Sequence, residues 1–402
     1  MNRNNPNRQK TAGIIRFSCG ILSFLFSFCY LYFLQGEILA EAQYVYSGGI
    51  TTYNLLAGAV IISVVLQILQ WIVSKLSELP PRWYAFSFLP SMLALAMIAC
   101  VNRASIIHFS LGDWVWIAPA VMVAYIVVVM IVRRVHTDYN SKTHDVWSQA
   151  FPNYIILFVL FIAVGSIPKS SDIYHFELKA ERLILAKDYE GATEVGDESL
   201  QASARLTQLR MYALSKQGEL ADRLFDYPQY YGSQGLLDVT DVQPDYRFSS
   251  QNICFYLGAL CGTSIKSTDR YYHLMFMDSL WNQHTVDYYL CSLLLDKRLD
   301  EFLNDLPTYY SLADSVPNAY DSLPLAFREA FLVIGQPDAA MQGSIVIEGD
   351  TIATLSDTTL IQQFREYNEM KAQLSDPIER VNRTRRQFGK TFWWYYDYSD
   401  KV

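Results

Sequence analysis

The chain has 402 residues, enough for two or three domains, and is 51% hydrophobic while carrying 18% charged residues. The charge is divided unevenly: residues 1–168 hold 10 Lys and Arg against 6 Asp and Glu, whereas residues 169–402 hold 22 against 34. An apolar, mildly basic front and an acidic back predict a membrane domain followed by a water-soluble one, and the acidic balance excludes nucleic acid as a partner, because displacing counterions needs a cationic surface.

The front holds five apolar stretches long enough to span a bilayer, which takes about 20 residues of helix. They are roughly Ile14–Leu34, Tyr53–Val73, Tyr84–Val101, Trp114–Val132 and a fifth at 152–168, built on the run Tyr154–Ile167. Within these limits there is no Asp, Glu or Lys, and the only Arg is Arg16, placed to reach the headgroups. Ionisable groups inside the bilayer mark ion-coupled transport, so transport is disfavoured. Gln67 and Gln70 lie three apart on one helix face and are expected to bond a neighbouring helix.

Orientation follows from the basic residues. Arg3, Arg8 and Lys10 precede the first span, Lys75 and Arg82 follow the second, and Arg133, Arg134 and Lys142 precede the fifth. The loop Gln35–Thr52 has none, and the loop after the third span has only Arg103. The N-terminus is therefore expected inside and the C-terminal domain outside the cytoplasm. A cleaved signal ending at Ala40-Glu41-Ala42 is the weaker reading, because the apolar run exceeds a signal core of about 7–15 residues.

In the back, Phe176, Ala180, Leu183 and Ala186 form one helical stripe, broken at Asp188-Tyr189. The pattern Lys187-Asp-Tyr-Glu-Gly-Ala192 returns as Lys216-Gln-Gly-Glu-Leu-Ala221, and again as Lys297-Arg-Leu-Asp-Glu-Phe302. A helix, a tight turn and a second helix opening on a small residue look like tetratricopeptide units, although the period of 29 is short and Gln229–Asp269 is irregular. The acidic loop Leu236–Tyr246 reads as solvated, and Ser344–Leu355 as a small β-hairpin turning at Gly349-Asp350. One long helix is expected from about Thr359 to Gln387. The fold class predicted is all-α: a five-helix transmembrane bundle (1–168), then an extracytoplasmic helical-repeat domain (169–402) with one small β-hairpin.

Chemistry-bearing patterns are sparse. There is no phosphate-cradling loop, dinucleotide fingerprint, metalloprotease helix or serine elbow. His108, His136, His144, His175, His273 and His284 are not at metal-ligand spacing, so no metal or other cofactor is expected. Cys254 and Cys261 stand seven apart, about 10.5 Å along a helix, beyond the roughly 7 Å a disulfide spans, and are expected with Cys291 as buried thiols. Glu37 and Glu41, four apart in the first outer loop, are the candidate catalytic residues of an enzyme reading, their place being similar to that of the essential acid in polytopic lipid-linked glycosyltransferases. Phe392, Trp393, Trp394, Tyr395 and Tyr396 fall in a run where six of seven residues are aromatic. Closing the last apolar face of a helical stack is the favoured role for that run, and binding a partner is an alternative.

Three strings carry a resemblance: Tyr32-Phe-Leu-Gln-Gly-Glu-Ile-Leu-Ala-Glu-Ala-Gln43 with Thr51-Thr-Tyr-Asn54, Arg210-Met-Tyr-Ala-Leu-Ser-Lys-Gln-Gly-Glu-Leu-Ala-Asp-Arg-Leu-Phe-Asp-Tyr-Pro-Gln229, and Phe388-Gly-Lys-Thr-Phe-Trp-Trp-Tyr-Tyr396. The chain resembles an uncharacterised family of bacterial envelope membrane proteins of Bacteroidetes type. The resemblance implies a membrane bundle with a tetratricopeptide-like tail and no assigned activity. The expected function is a non-catalytic scaffold that displays a repeat groove to an envelope protein partner. The alternative is a membrane enzyme acting on envelope glycan or lipid-linked substrate through Glu37 or Glu41.

Overall fold

The computed structural model describes residues 6–101, 106, 108, 110–138, 146–166, 172–197, 199, 201–240, 247–262, 265–310, 312, 319–347 and 350–401. Arg3, Arg103, Lys142, His144, Ile167, Tyr246 and Gly349, named above, lie outside them. The chain forms two compact units, Met1–His175 and Phe176–Val402.

In the first unit, α1 (Pro6–Cys29) runs into a π-helical turn at Tyr30–Leu34, then α2 (Gly36–Tyr46) and α3 (Leu55–Ser77). The Asn54 side chain caps α3 by accepting from the Ala57 amide at 3.0 Å. A 3₁₀ segment, Pro81–Phe88, leads into α4 (Leu89–Ala99), followed by α5 (Trp114–Asp138) and α6 (Val146–Ser166). Five of the described helical stretches are long and apolar enough to cross a membrane: Ala12–Leu34, Leu55–Ser77, Pro81–Ala99, Trp114–Arg134 and Gln149–Ser166. The third is the most enclosed.

Polar side chains stitch this bundle. Gln70 donates to Tyr84 Oη and Ser87 Oγ, both at 2.9 Å, and Gln67 donates to the Gly20 carbonyl at 3.3 Å. Asn153, which sequence reasoning passed over, accepts from the Ala85 amide at 2.7 Å and donates to the carbonyls of Pro81 (2.8 Å) and Gln149 (2.7 Å). A single amide side chain on α6 thus meets both an amide and a carbonyl of the 3₁₀ segment, tying the two elements together.

The second unit is helical with one hairpin. Its helices are α7 (Asp172–Leu185, which begins just before the division), α8 (Tyr189–Glu194), α9 (Ala204–Gln217), α10 (Gly232–Leu236), α11 (Ser250–Leu257), α12 (Thr268–Met277), α13 (Gln283–Leu295) and α14 (Leu299–Tyr309). After these come α15 (Leu325–Ile334), α16 (Pro337–Ala340), the antiparallel pair β1 (Ser344–Ile347) and β2 (Asp350–Thr354), α17 (Thr358–Gln373), α18 (Pro377–Phe388) and α19 (Phe392–Tyr398). One core runs from Ala180 to Tyr398, and Ile345 of β1 is fully buried in it.

The turns repeat more faithfully than the sequence does. Lys187, Gly218, Gly258, Ser279 and Lys297 all have positive φ. After each, the next amide reaches back five residues, as Asp188 to Leu183, Glu219 to Leu214, Ala259 to Cys254, Leu280 to Met275 and Arg298 to Leu293. This is the Schellman closure, which satisfies carbonyls left open at a helix end. Aligned on the turn, the partner of Lys187 and Lys297 is Gly218, two residues past the Lys216 that the letters suggest. The helix expected to open at Ala221 is absent, and residues 219–227 instead form hydrogen-bonded turns closed by Arg223, which grips Glu219 at 2.9 Å and Asp226 at 2.8 Å.

Two further expectations are corrected. Cys254 and Cys261 form a disulfide with Cα atoms 5.7 Å apart. The α11 helix stops at Leu257, and Gly258 (φ 128°) turns the chain back, so the two cysteines never share a helix. The long helix expected over Thr359–Gln387 is two: Leu374 is already extended, Asp376 caps the next amides, and Pro377 begins α18.

Candidate functional site

Glu37 and Glu41 lie on α2, just after the π-helical turn, where the Gln35 amide bonds the Tyr30 carbonyl at 3.1 Å. Tyr30 Oη reaches the Val164 carbonyl and receives Gln35 Nε2, each at 3.4 Å, which anchors the turn against α6. Glu37 is half-buried and Glu41 is 1% exposed. His175 feels Glu37: burial pushes its imidazole pKa down, while Asp172 and Glu37 pull it back up. Glu41 is therefore an enclosed carboxylate of the bundle rather than a solvated one.

The aromatic run Phe392–Tyr398 is α19, capped by Thr391. Phe392 and Trp393 are 0% and 1% exposed, Trp394 and Tyr395 are both 7%, and Tyr396 alone among the five is exposed, at 37%. Trp393 packs against Phe364 and Tyr367 of α17, with ring centroids 5.3 and 6.3 Å away. Tyr395 Oη donates to the Leu295 carbonyl at 2.7 Å. The Phe392 amide donates to the buried carboxylate of Glu329 at 2.7 Å, and burial raises that carboxyl to about 8. Asp397 accepts from Tyr367 Oη and Lys371 Nζ, each at 2.5 Å. The run is thus interior, and the partner surface expected there shrinks to Tyr396.

What remains open lies beside it. A cavity of about 300 Å³ opens between the segment Asp226–Tyr230 and the stretch from Arg385 to Trp394. Arg385 donates to Tyr230 Oη at 2.8 Å, and its guanidinium carbon lies 5.4 Å from the centre of the Trp394 ring. Arg386 and Lys390 are exposed on the rim, and among the described residues no carboxylate forms an ion pair with either. Gln229 is held by bonds from Nε2 to the Leu224 carbonyl (2.7 Å) and Met211 sulfur (3.7 Å), while its Oε1 and the Nε1 of Trp394 lack hydrogen-bond partners. Sequence reasoning missed this place because it joins residues 155 positions apart. The available signal was basic crowding, with Arg380, Arg383, Arg385, Arg386 and Lys390 inside an acidic domain.

Other polar groups serve the core. Glu181 accepts the Phe248 amide at 2.7 Å and stands 3.5 Å from Arg205 and 4.0 Å from Arg247. Arg205 also bonds the Phe248 carbonyl. Arg210, 1% exposed, donates to the Val195 carbonyl at 2.5 Å and lies over the Tyr227 ring. Among the described residues, no group of three His, Cys, Asp or Glu is placed to hold a metal ion.

These features define a class: a bundle with five helices long and apolar enough to cross a membrane, followed by a helical unit with Schellman turns and one small hairpin. The chain belongs to a family of unknown function, DUF6057, whose profile matches residues 106–264 and 261–399. No curated protein and no solved structure matches the chain.

Proposed function

We propose that this is a bacterial inner-membrane protein whose tetratricopeptide-like C-terminal unit stands in the periplasm as a scaffold for an envelope protein. The observation that carries the reading is how the ionisable groups of that unit are used. Glu181, Arg205, Arg210 and Glu329 are all held in bonds within the core, which leaves an open cavity rather than a catalytic constellation among the described residues. Two facts support the location. Short-loop basic residues alternate across an odd number of spans. The Cys254–Cys261 disulfide suits an oxidising compartment.

The test is photo-crosslinking in membranes from a probe placed at Tyr230, compared with one at exposed Ile378. One envelope protein captured from Tyr230 and not from Ile378 supports the scaffold, and capture from neither position sinks it. Location is checked separately: a membrane-impermeant maleimide should label a cysteine introduced at exposed Ile378 (Ile378→Cys) in intact spheroplasts. Labelling that requires lysis would place the unit in the cytoplasm.

A further inference from the structure

Resting on the scaffold reading, we propose that the cavity beside Trp394 takes an acidic peptide segment of the partner, with one carboxylate held by Arg386 and Lys390.

Charge is the first argument. The second unit is acidic overall, yet this cavity is lined by three cations, Arg385, Arg386 and Lys390, against two carboxylates, Asp197 and Asp226. Asp226 is already taken by Arg223 at 2.8 Å. Arg385 is spent on Tyr230 and the Trp394 face, which leaves the two rim cations to meet a ligand. A small local excess of positive charge matches a single carboxylate, whereas the nearby carboxylates oppose a multiply charged phosphate.

The second argument is the pairing of unsatisfied groups. Trp394 is 7% exposed and has an indole N–H without an acceptor; Gln229 is 6% exposed and has an amide oxygen without a donor. Buried polar groups are costly to leave unpaired. The backbone of a peptide offers both acceptors and donors, so it can supply what each of these two lining residues lacks after a small shift of its side chain. The third argument is shape. A volume of about 300 Å³ with Tyr230 and Trp394 on its walls accommodates one or two residues, not a folded surface.

The experiment uses the full chain in nanodiscs, immobilised and exposed to two random nonapeptide pools, one with a fixed central aspartate and one with asparagine there. The acidic pool should be retained about tenfold more, the preference should fade as salt rises, and R386E/K390E should abolish it. Both residues are exposed, and an unchanged melting temperature verifies that the variant is folded; R386Q/K390Q gives the same answer without charge reversal. Equal retention of the pools overturns the proposal, as does a preference that survives both variants. Inorganic phosphate, or vesicles of anionic phosphatidylglycerol, competing as strongly as the acidic pool would make this a headgroup or phosphate site instead. If photo-crosslinking still captures the envelope partner from R386E/K390E at undiminished yield, the scaffold stands and the acidic-peptide site falls.

Discussion

The two units are built from the same helix and solve opposite problems. In the front unit the large apolar side chains face outward, Phe17 at 72% and Trp116 at 81% exposed, while Ser23, Ser27, Ser63, Ser87 and Ser91 are buried. Small hydroxyls let helices approach, and lipid solvates the rest. The back unit buries its aromatics and also buries whole charges, Glu181 and Arg210 each at 1%. Water outside makes hydrophobic burial the driving force there, and the charges are tolerated because each is bonded. The lesson is that solvent decides what may stay outside: the front unit leaves large apolar side chains facing out while small hydroxyls join Tyr84, Phe88 and Leu95 inside, whereas water drives the large and aromatic inward.

Trp393→Ala should be the severest break in the back unit, costing about 3–5 kcal/mol by urea unfolding, since the ring is 1% exposed between Phe364 and Tyr367. Glu181→Ala should cost about 3 kcal/mol or more by leaving Arg205 and Arg247 without their carboxylate.

Glu329 sharpens the contrast through pH. Its folded pKa, about 8, lies above the carboxyl's ordinary value near 4.5, so the folded state holds a proton the unfolded state has released. Its contribution is complete below pH 4.5 and is lost as pH rises toward 8, by at most about 1.4 kcal/mol per pH unit. Glu329→Gln keeps an acceptor for the Phe392 amide and should flatten that slope. A slope unchanged by the substitution would assign it elsewhere.

In the front unit, Asn153→Ala leaves the Ala85 amide and the Pro81 carbonyl without their partner and should cost about 1–3 kcal/mol in detergent unfolding. The smallest effect concerns a turn. Lys187→Gly should gain about 0.5–1 kcal/mol, because Lys187 occupies a left-handed conformation that glycine adopts freely.

How much of this was legible depended on the range of each signal. The spans were readable because a bilayer demands a long unbroken apolar run, and the turns at Lys187 and Lys297 because a helix end is local. The Cys254–Cys261 disulfide was misread because helical spacing was carried across Gly258, a glycine that ends the helix. Pro377 after Ser375-Asp376 was an available stop signal for the long helix. Asn153, the Glu181 cluster and the cavity are made by distant segments, and no period in the sequence encodes them.

The Glu181 cluster also has an evolutionary consequence. Its members sit on α7, on α9 and just before α11, and each removes a penalty the others create. Single losses are costly and joint losses much less so, because the coupling is far from additive. Across relatives of this chain, positions 181, 205 and 247 should therefore change as a set: a carboxylate with two guanidinium groups in some lineages, and apolar residues at all three in others.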